Sequence, residues 1–122
     1  MPSEEGAKFP RSRRLLKPDE YRRVFSDGRR SADSLFLVLA RPNGMNEARL
    51  GLAVSKKASR RAVDRNRIKR LIRESFRQHQ PCLSGFDMVV VSRSGATGSE
   101  NSACFESLRH HWRRVAEKCA DY

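Results

Sequence analysis

Two neighbouring stretches decide the architecture: Arg49-Leu50-Gly51-Leu52-Ala53-Val54-Ser55, and Asp64-Arg65-Asn66-Arg67-Ile68-Lys69-Arg70-Leu71-Ile72-Arg73-Glu74-Ser75-Phe76. In the first, Leu50, Leu52 and Val54 alternate with Gly51, Ala53 and Ser55, the period of two that belongs to a strand with one bulky and one nearly bare face. A bare face either accepts a ligand or lets a helix pack close, and both readings stand. In the second, Ile68, Leu71, Ile72 and Phe76 recur at i, i+3, i+4 and i+8, which predicts a helix with Asp64 as its cap and Val63 stapled to Ile68.

Outward from this strand and helix, the pattern continues to both sides. Upstream, the apolar run over residues 35–40 closes on Pro42-Asn43-Gly44 and reads as a buried strand and turn. Before it, Pro18 suits the first turn of a helix, Asp19 and Glu20 complement its positive end, Tyr21, Val24 and Phe25 follow at helical spacing, and Gly28 supplies the stop. Tyr21 and Phe25 thus stand one turn apart, either as a pair of presented rings or as core. Downstream, Pro81 and Gly85 read as breakers before a strand over residues 86–92, and Thr97-Gly98-Ser99-Glu100 resembles a capping box for a last helix carrying Phe105, Leu108, Trp112 and Val115. The order is αββαβα, with an extra strand near Ser31 compatible with the pattern. The fold class is α+β: a single-domain sandwich with a mostly antiparallel sheet packed by helices. Residues 1–13 read as a mobile basic and polar tail, 14–118 as a single α+β domain, and 119–122 as a C-terminal tail.

A chain of 122 residues suits one domain. Its 26 Lys and Arg against 14 Asp and Glu leave a net charge of +12, which calls for a polyanionic partner. Between Lys56 and Arg77, ten basic residues face only Asp64 and Glu74, so this segment carries +8 of that charge. Arg67, Arg70, Arg73 and Arg77 follow at helical spacing, where like charges repel; a solvated helix face would intersperse acids. Such a stripe fits phosphates. Asn66 between Arg65 and Arg67 is expected in the first turn of the helix, among free backbone N–H groups, and combines bidentate cations with an amide able to meet a ribose 2′-hydroxyl, which favours RNA over DNA.

Chemistry of the chain's own is not indicated. Cys82, Cys104 and Cys119 are odd in number and scattered, fitting reduced thiols, and His79 with Cys82 lacks the second ligand pair that zinc needs. No catalytic or metal residues are expected. The longest apolar runs are far too short to span a bilayer, and residues 1–6 begin acidic without a signal-peptide core, so no membrane association and a cytoplasmic location are expected.

The run Arg65-Asn66-Arg67-Ile68-Lys69-Arg70-Leu71-Ile72-Arg73-Glu74-Ser75-Phe76-Arg77 closely resembles the signature of the bacterial ribonuclease P protein subunit. The likeness extends upstream through Arg49 to Lys57 and to Leu16-Lys17-Pro18-Asp19-Glu20-Tyr21-Arg22-Arg23-Val24-Phe25, and downstream to Asp87-Met88-Val89-Val90-Val91-Ser92-Arg93. The resemblance implies a subunit that joins ribonuclease P RNA, one protein per catalytic RNA, in a complex that removes the 5′ leader of precursor tRNA. It also implies that the RNA does the chemistry with Mg²⁺ ions. It assigns Arg65, Asn66, Arg67, Lys69, Arg70, Arg73, Lys56 and Lys57 to RNA binding, and Tyr21, Phe25, Phe36 and Ser55 to a cleft that receives the leader. Tyr21 stands where Phe is frequent, and Leu39 where some members are aromatic, so Leu39 cannot stack. The family further implies a left-handed βαβ crossover, against the general rule. Two rival readings are a ribosomal or other RNA-binding module, and a nuclease using His110 and His111 with a carboxylate; adjacent helical residues point 100° apart and rarely act on one bond.

Overall fold

Pro18 opens helix α1 (Pro18–Asp27), where its missing N–H costs nothing, and the Glu20 carboxylate reaches back to accept the Lys17 N–H at 3.1 Å. These coordinates are a computed structural model that describes residues 14, 15 and 17–119; the expected tail over 1–13 and residues 120–122 lie outside the described residues. Gly28 ends α1, though not through a left-handed turn: its φ is −80°, and a Cβ there would stand 2.4 Å from the Val24 carbonyl oxygen and 3.1 Å from that of Ala40. Close approach of helix and sheet is what requires glycine.

The chain continues through β1 (Arg29–Ala32), the extra strand near Ser31, then β2 (Phe36–Pro42), β3 (Arg49–Ala53), α2 (Ala62–Leu83), β4 (Phe86–Ser92), a short α3 (Ser94–Thr97) and α4 (Asn101–Cys119). One sheet forms in the order β1-β2-β4-β3. β2 runs antiparallel to β1 and β4, whereas β3 and β4 are parallel, so α2 is the crossover of a βαβ unit. The mostly antiparallel α+β sandwich is present.

Strand alternation sorts the core into two layers. Phe36, Val38, Ala40, Leu50, Met88 and Val90 face α2 and α4, packing against Ile68, Ile72, Phe76, Leu108, Trp112 and Val115. Phe76 and Trp112 meet edge to face at 6.0 Å, and the buried Trp112 indole donates to Ser75 Oγ at 2.8 Å, which satisfies both polar groups. On the opposite face Leu39 and Val89 pack with Leu15 and Val24, while Tyr21, Leu37 and Val91 are only half-buried. Among the described residues this 10-residue helix does not cover the whole of that face, and Leu37 and Val91 are left partly exposed.

Arg49 ties α1 to the sheet. Its guanidinium donates to both oxygens of Asp87 on β4 (2.8 and 2.7 Å) and to Glu20 on α1 (2.9 Å). The bonds to Asp87 lift its pKa above the ordinary value against the opposing cost of burial, and Glu20 adds to the rise.

Several expected boundaries move. Helix α2 starts at Ala62 with Arg61 as N-cap, so Asp64 lies inside the first turn, and Val63, 59% exposed, does not staple. Arg65 does the holding instead, donating to the carbonyl oxygens of Ser59 (3.0 Å) and Arg60 (2.8 Å). Pro81 does not break the helix but sits in its last turn, and the stop is at Gly85, whose φ of +89° only glycine adopts readily. No capping box forms at 97–100: Thr97 closes α3 with its hydroxyl on the Ala58 carbonyl oxygen (3.2 Å), and α4 begins at Asn101. Helix α4 runs to Cys119, whose buried thiol donates toward the Ala40 carbonyl oxygen at 3.6 Å.

Candidate RNA-binding site

The basic segment emerges as a loop and a helix edge. Lys56, Lys57, Arg60 and Arg61 are exposed on the loop entering α2, and Asn66, Arg70 and Arg73 are exposed on α2 itself, away from Ile68, Leu71, Ile72 and Phe76. Asn66 lies in the second turn, since the Arg65 N–H is already bonded to the Arg61 carbonyl oxygen (3.1 Å); its amide is presented, but the free N–H groups of the helix start lie upstream.

The two arginines that flank it are engaged within the fold. Arg65 clamps the loop as described. Arg67 reaches across to the α3–α4 junction, donating through Nε to Asn101 Oδ1 at 2.9 Å and through its terminal nitrogens to the carbonyl oxygens of Thr97 (3.4 Å) and Ser99. Both still project positive charge at this surface, but their hydrogen-bonding forks serve the protein. Lys69 and Arg73 turn the other way, toward β3 and α1. With Arg14, Leu15, Tyr21, Leu50 and Leu52 they line a recess of about 230 Å³. Burial pushes the Arg73 pKa down from its usual value, and the charge of Arg14 adds to that. An anion between these side chains relieves the repulsion.

Tyr21 forms the wall of this recess nearest the open sheet face. Its ring lies directly over Gly51: a Cβ there would come within 2.6 to 2.8 Å of Cε1, Cζ and Oη. The bare face of β3 is therefore partly taken up by an aromatic ring, combining the two readings the alternation left open. Phe25, one turn along α1, is 39% exposed and belongs to neither core layer. Ser55 is exposed, and its Oγ accepts the Ala58 N–H at 3.1 Å, shaping the basic loop.

Phe36 needs correction. It is fully buried in the layer against α2 and α4, on the side of the sheet opposite Tyr21, because it shares the parity of Val38 and Ala40 along β2. No cleft on the α1 face can include it. The half-exposed apolar residues of β2 and β4 on that face are Leu37 and Val91, which the run of apolar residues did not single out; counting alternate positions back from the predicted buried set would have found them. Arg14 and Leu15 were also missed as site residues. They join the β3 edge through a parallel bridge from Arg14 to Leu50 and a bond from the Leu15 N–H to the Leu50 carbonyl oxygen (3.0 Å).

The histidines do not converge on one site. His111 is buried, with Nδ1 2.7 Å from Ser31 Oγ and Nε2 3.1 Å from Asp33 Oδ2, whereas its neighbour His110 is exposed. Burial pushes the His111 pKa below its usual value against the upward pull of Asp33. Among the described residues no three His, Cys, Asp or Glu side chains are grouped to hold a metal ion. Nor is any described helix long and apolar enough to cross a membrane.

Comparison with known proteins agrees along nearly the whole chain. A family model described as Ribonuclease P matches residues 9–116. The ribonuclease P protein component of Thioalkalivibrio sulfidiphilus is 50% identical over 113 residues, covering 93% of this chain and 94% of the relative. That of Methylococcus capsulatus is 50% identical over 116 residues, covering 95% and 91%. Among solved structures, the RNase P protein of Staphylococcus aureus aligns with a TM-score of 0.78 at 33% identity over 84% of this chain and 94% of that one. The Thermotoga maritima protein gives 0.74 at 32%, over 84% and 96%. Identity at this level over this length, on the same fold, carries a plain conclusion: the chain belongs to the ribonuclease P protein family.

Proposed function

We propose that this chain binds ribonuclease P RNA, one protein per catalytic RNA, together with the 5′ leader of precursor tRNA, and supports the endonucleolytic cut that leaves the mature tRNA 5′ end. The observation that carries the reading is the meeting of two surfaces: Lys69 and Arg73 of the basic helix share a recess with Tyr21, whose ring opens the way to the uncovered sheet face. An RNA held along α2 by Asn66, Lys69, Arg70 and Arg73, and along the preceding loop by Lys56 and Lys57, leaves room for a single strand to run past Tyr21 toward Phe25. Ser55 lies where the loop leaves β3. Arg65 and Arg67 add charge to the RNA-facing surface while fixing its shape. The catalytic RNA performs the hydrolysis, with Mg²⁺ supplying water activation and stabilisation of the leaving oxygen. This chain's own residues bind and orient, as a cytoplasmic partner of both RNAs.

Reconstitution of the full chain with a bacterial ribonuclease P RNA at low Mg²⁺ tests the reading: precursor tRNA should gain a correct 5′ end. The leader contact is tested by Phe25→Leu. Stacking of a base on an aromatic ring is worth about 1 to 3 kcal/mol, so precursor affinity should fall roughly 5- to 150-fold while mature tRNA binds as before. Equal losses for both RNAs would return Phe25 to a purely structural role.

A further inference from the structure

The positive charge is not confined to α2. On α4, His110, Arg114 and Lys118 recur at i, i+4 and i+8, all exposed, along about 12 Å of helix. This edge of α4 is turned to β1: the adjoining His111 contacts Ser31, and Lys118 Nζ donates to the Arg30 carbonyl oxygen at 2.5 Å. Arg29 and Arg30 on β1 are exposed beside it. The strand order puts β1 at the opposite edge of the sheet from β3, where Lys69 and Arg73 line the recess. Two basic surfaces therefore flank the sheet, one at each edge.

Nearby acids do not neutralise the α4 edge. Asp33 takes hydrogen bonds from Ser107 and from the Leu35 and Phe36 N–H groups, Asp27 pairs with Arg41 at 3.0 Å, Glu106 pairs with Arg109 at 2.7 Å, and Glu117, next to Lys118 in sequence, lines a recess with His79, Trp112 and Arg113 on the α2 side of the helix. Nor does the surface suit a membrane or a protein interface core, since the exposed large apolar residues among those described are Phe25, Met45 and Val63, none on α4 or β1. Charge without apolar area fits phosphate oxygens.

We propose that the α4–β1 edge is a second phosphate-binding surface, which engages a segment of the ribonuclease P RNA different from the one met by α2. This rests on the reading that α2 binds that RNA, and it makes the protein a brace between two RNA segments. The test uses the full chain carrying Arg29→Ala, Arg114→Ala and Lys118→Ala, with Arg70→Ala/Arg73→Ala in parallel. Affinity for ribonuclease P RNA is measured against salt, with hydroxyl-radical footprinting of the RNA. Loss of three phosphate contacts should flatten the slope of log affinity against log salt by about 2 to 3 units, and the footprint should lose one protected segment while keeping the other. The α2 variant should lose the complementary segment. A double variant, Arg114→Gln with Lys118→Gln, serves if the triple variant does not fold, with a slope change of about 1 to 2 units. An unchanged slope and footprint in the folded α4 variant, while the α2 variant loses binding, overturns the second surface alone. If the α2 variant also binds as wild type, the proposed function falls with it.

Discussion

Removing the Arg67 side chain should weaken the fold as well as the RNA complex, unlike removal of its neighbour Arg70. Arg67 bridges α2 to the α3–α4 junction through Asn101 Oδ1 at 2.9 Å and the carbonyl oxygens of Thr97 (3.4 Å) and Ser99. A buried charged hydrogen bond is worth about 1.5 to 3 kcal/mol, but this guanidinium is half-exposed and water replaces part of what is lost. The three bonds together should then contribute about 1 to 2 kcal/mol, which in a domain of this size lowers Tm by roughly 4 to 10 °C. Arg70 is exposed and makes no hydrogen bond or ion pair among the described residues, so Arg70→Ala should stay within about 0.5 kcal/mol of wild type. The assay pairs thermal unfolding of the free protein with the salt dependence of its affinity for ribonuclease P RNA. Arg67→Ala should show the drop in Tm; Arg70→Ala should lose affinity and about 0.7 to 0.9 units of salt slope at unchanged Tm. Arg67→Lys separates the roles, because an ammonium keeps the charge but cannot span three acceptors; it should lose stability and keep the salt slope. If Arg67→Ala melts like wild type and binds RNA like Arg70→Ala, the bridge is not structural and the side chain belongs to the RNA.

Gly51→Ala should push the Tyr21 ring off β3, since the new Cβ would stand 2.6 Å from Cε1. The clash is with the far end of a side chain that can swing out, so the stability cost should not exceed about 1 to 2 kcal/mol. Affinity for leader-bearing precursor should fall several-fold, and equal affinity to wild type would separate Tyr21 from leader binding. The His111 cluster sets a pH dependence. Burial keeps the His111 imidazole neutral in the fold, against the pull of Asp33 and with His110 and Arg114 opposing protonation, so its pKa lies below the usual 6.5. The unfolded chain therefore takes up a proton the folded one resists, and the stability from this group is whole above pH 6.5 and lost as pH falls below it. Tm should decline from pH 7 to 5, and His111→Gln should flatten that decline; an unaltered slope would refute the assignment. A second loss is expected at lower pH. Burial tends to raise the Asp33 pKa, but hydrogen bonds from Ser107, Phe36, Leu35 and His111 hold it down from 3.8 to about 2, so its contribution disappears as pH falls through that window.

Elements and their order were legible in the sequence because they rest on local periodicity. Alternation at Leu50, Leu52 and Val54 and the helical spacing of Ile68, Leu71, Ile72 and Phe76 do not depend on distant residues, and neither does the concentration of charge between Lys56 and Arg77. The aromatic pair on α1 was likewise readable, though not which ring would be covered. What only the tertiary structure decided involves contacts between residues far apart in the chain. Phe36 belongs to the layer beneath α2 and α4 because the parity of β2 is set by its pairing with β4, and a shift of one residue exchanges the faces of a strand. Arg65 and Arg67 looked like a pair of phosphate clamps, yet Arg67 finds its acceptors 30 to 34 positions away in sequence. Helix α2 starts at Ala62 without a side-chain cap, and the loop before it is held from 39 positions away by the Thr97 hydroxyl on the Ala58 carbonyl oxygen, with Arg65 clamping it locally. The order β1-β2-β4-β3, which sets the two basic surfaces at opposite edges, follows from α2 carrying the chain across to a parallel partner. Local spacing records which face of an element is apolar; which neighbour that face meets is settled when distant apolar surfaces are buried together, and nothing within a window of the chain encodes that choice.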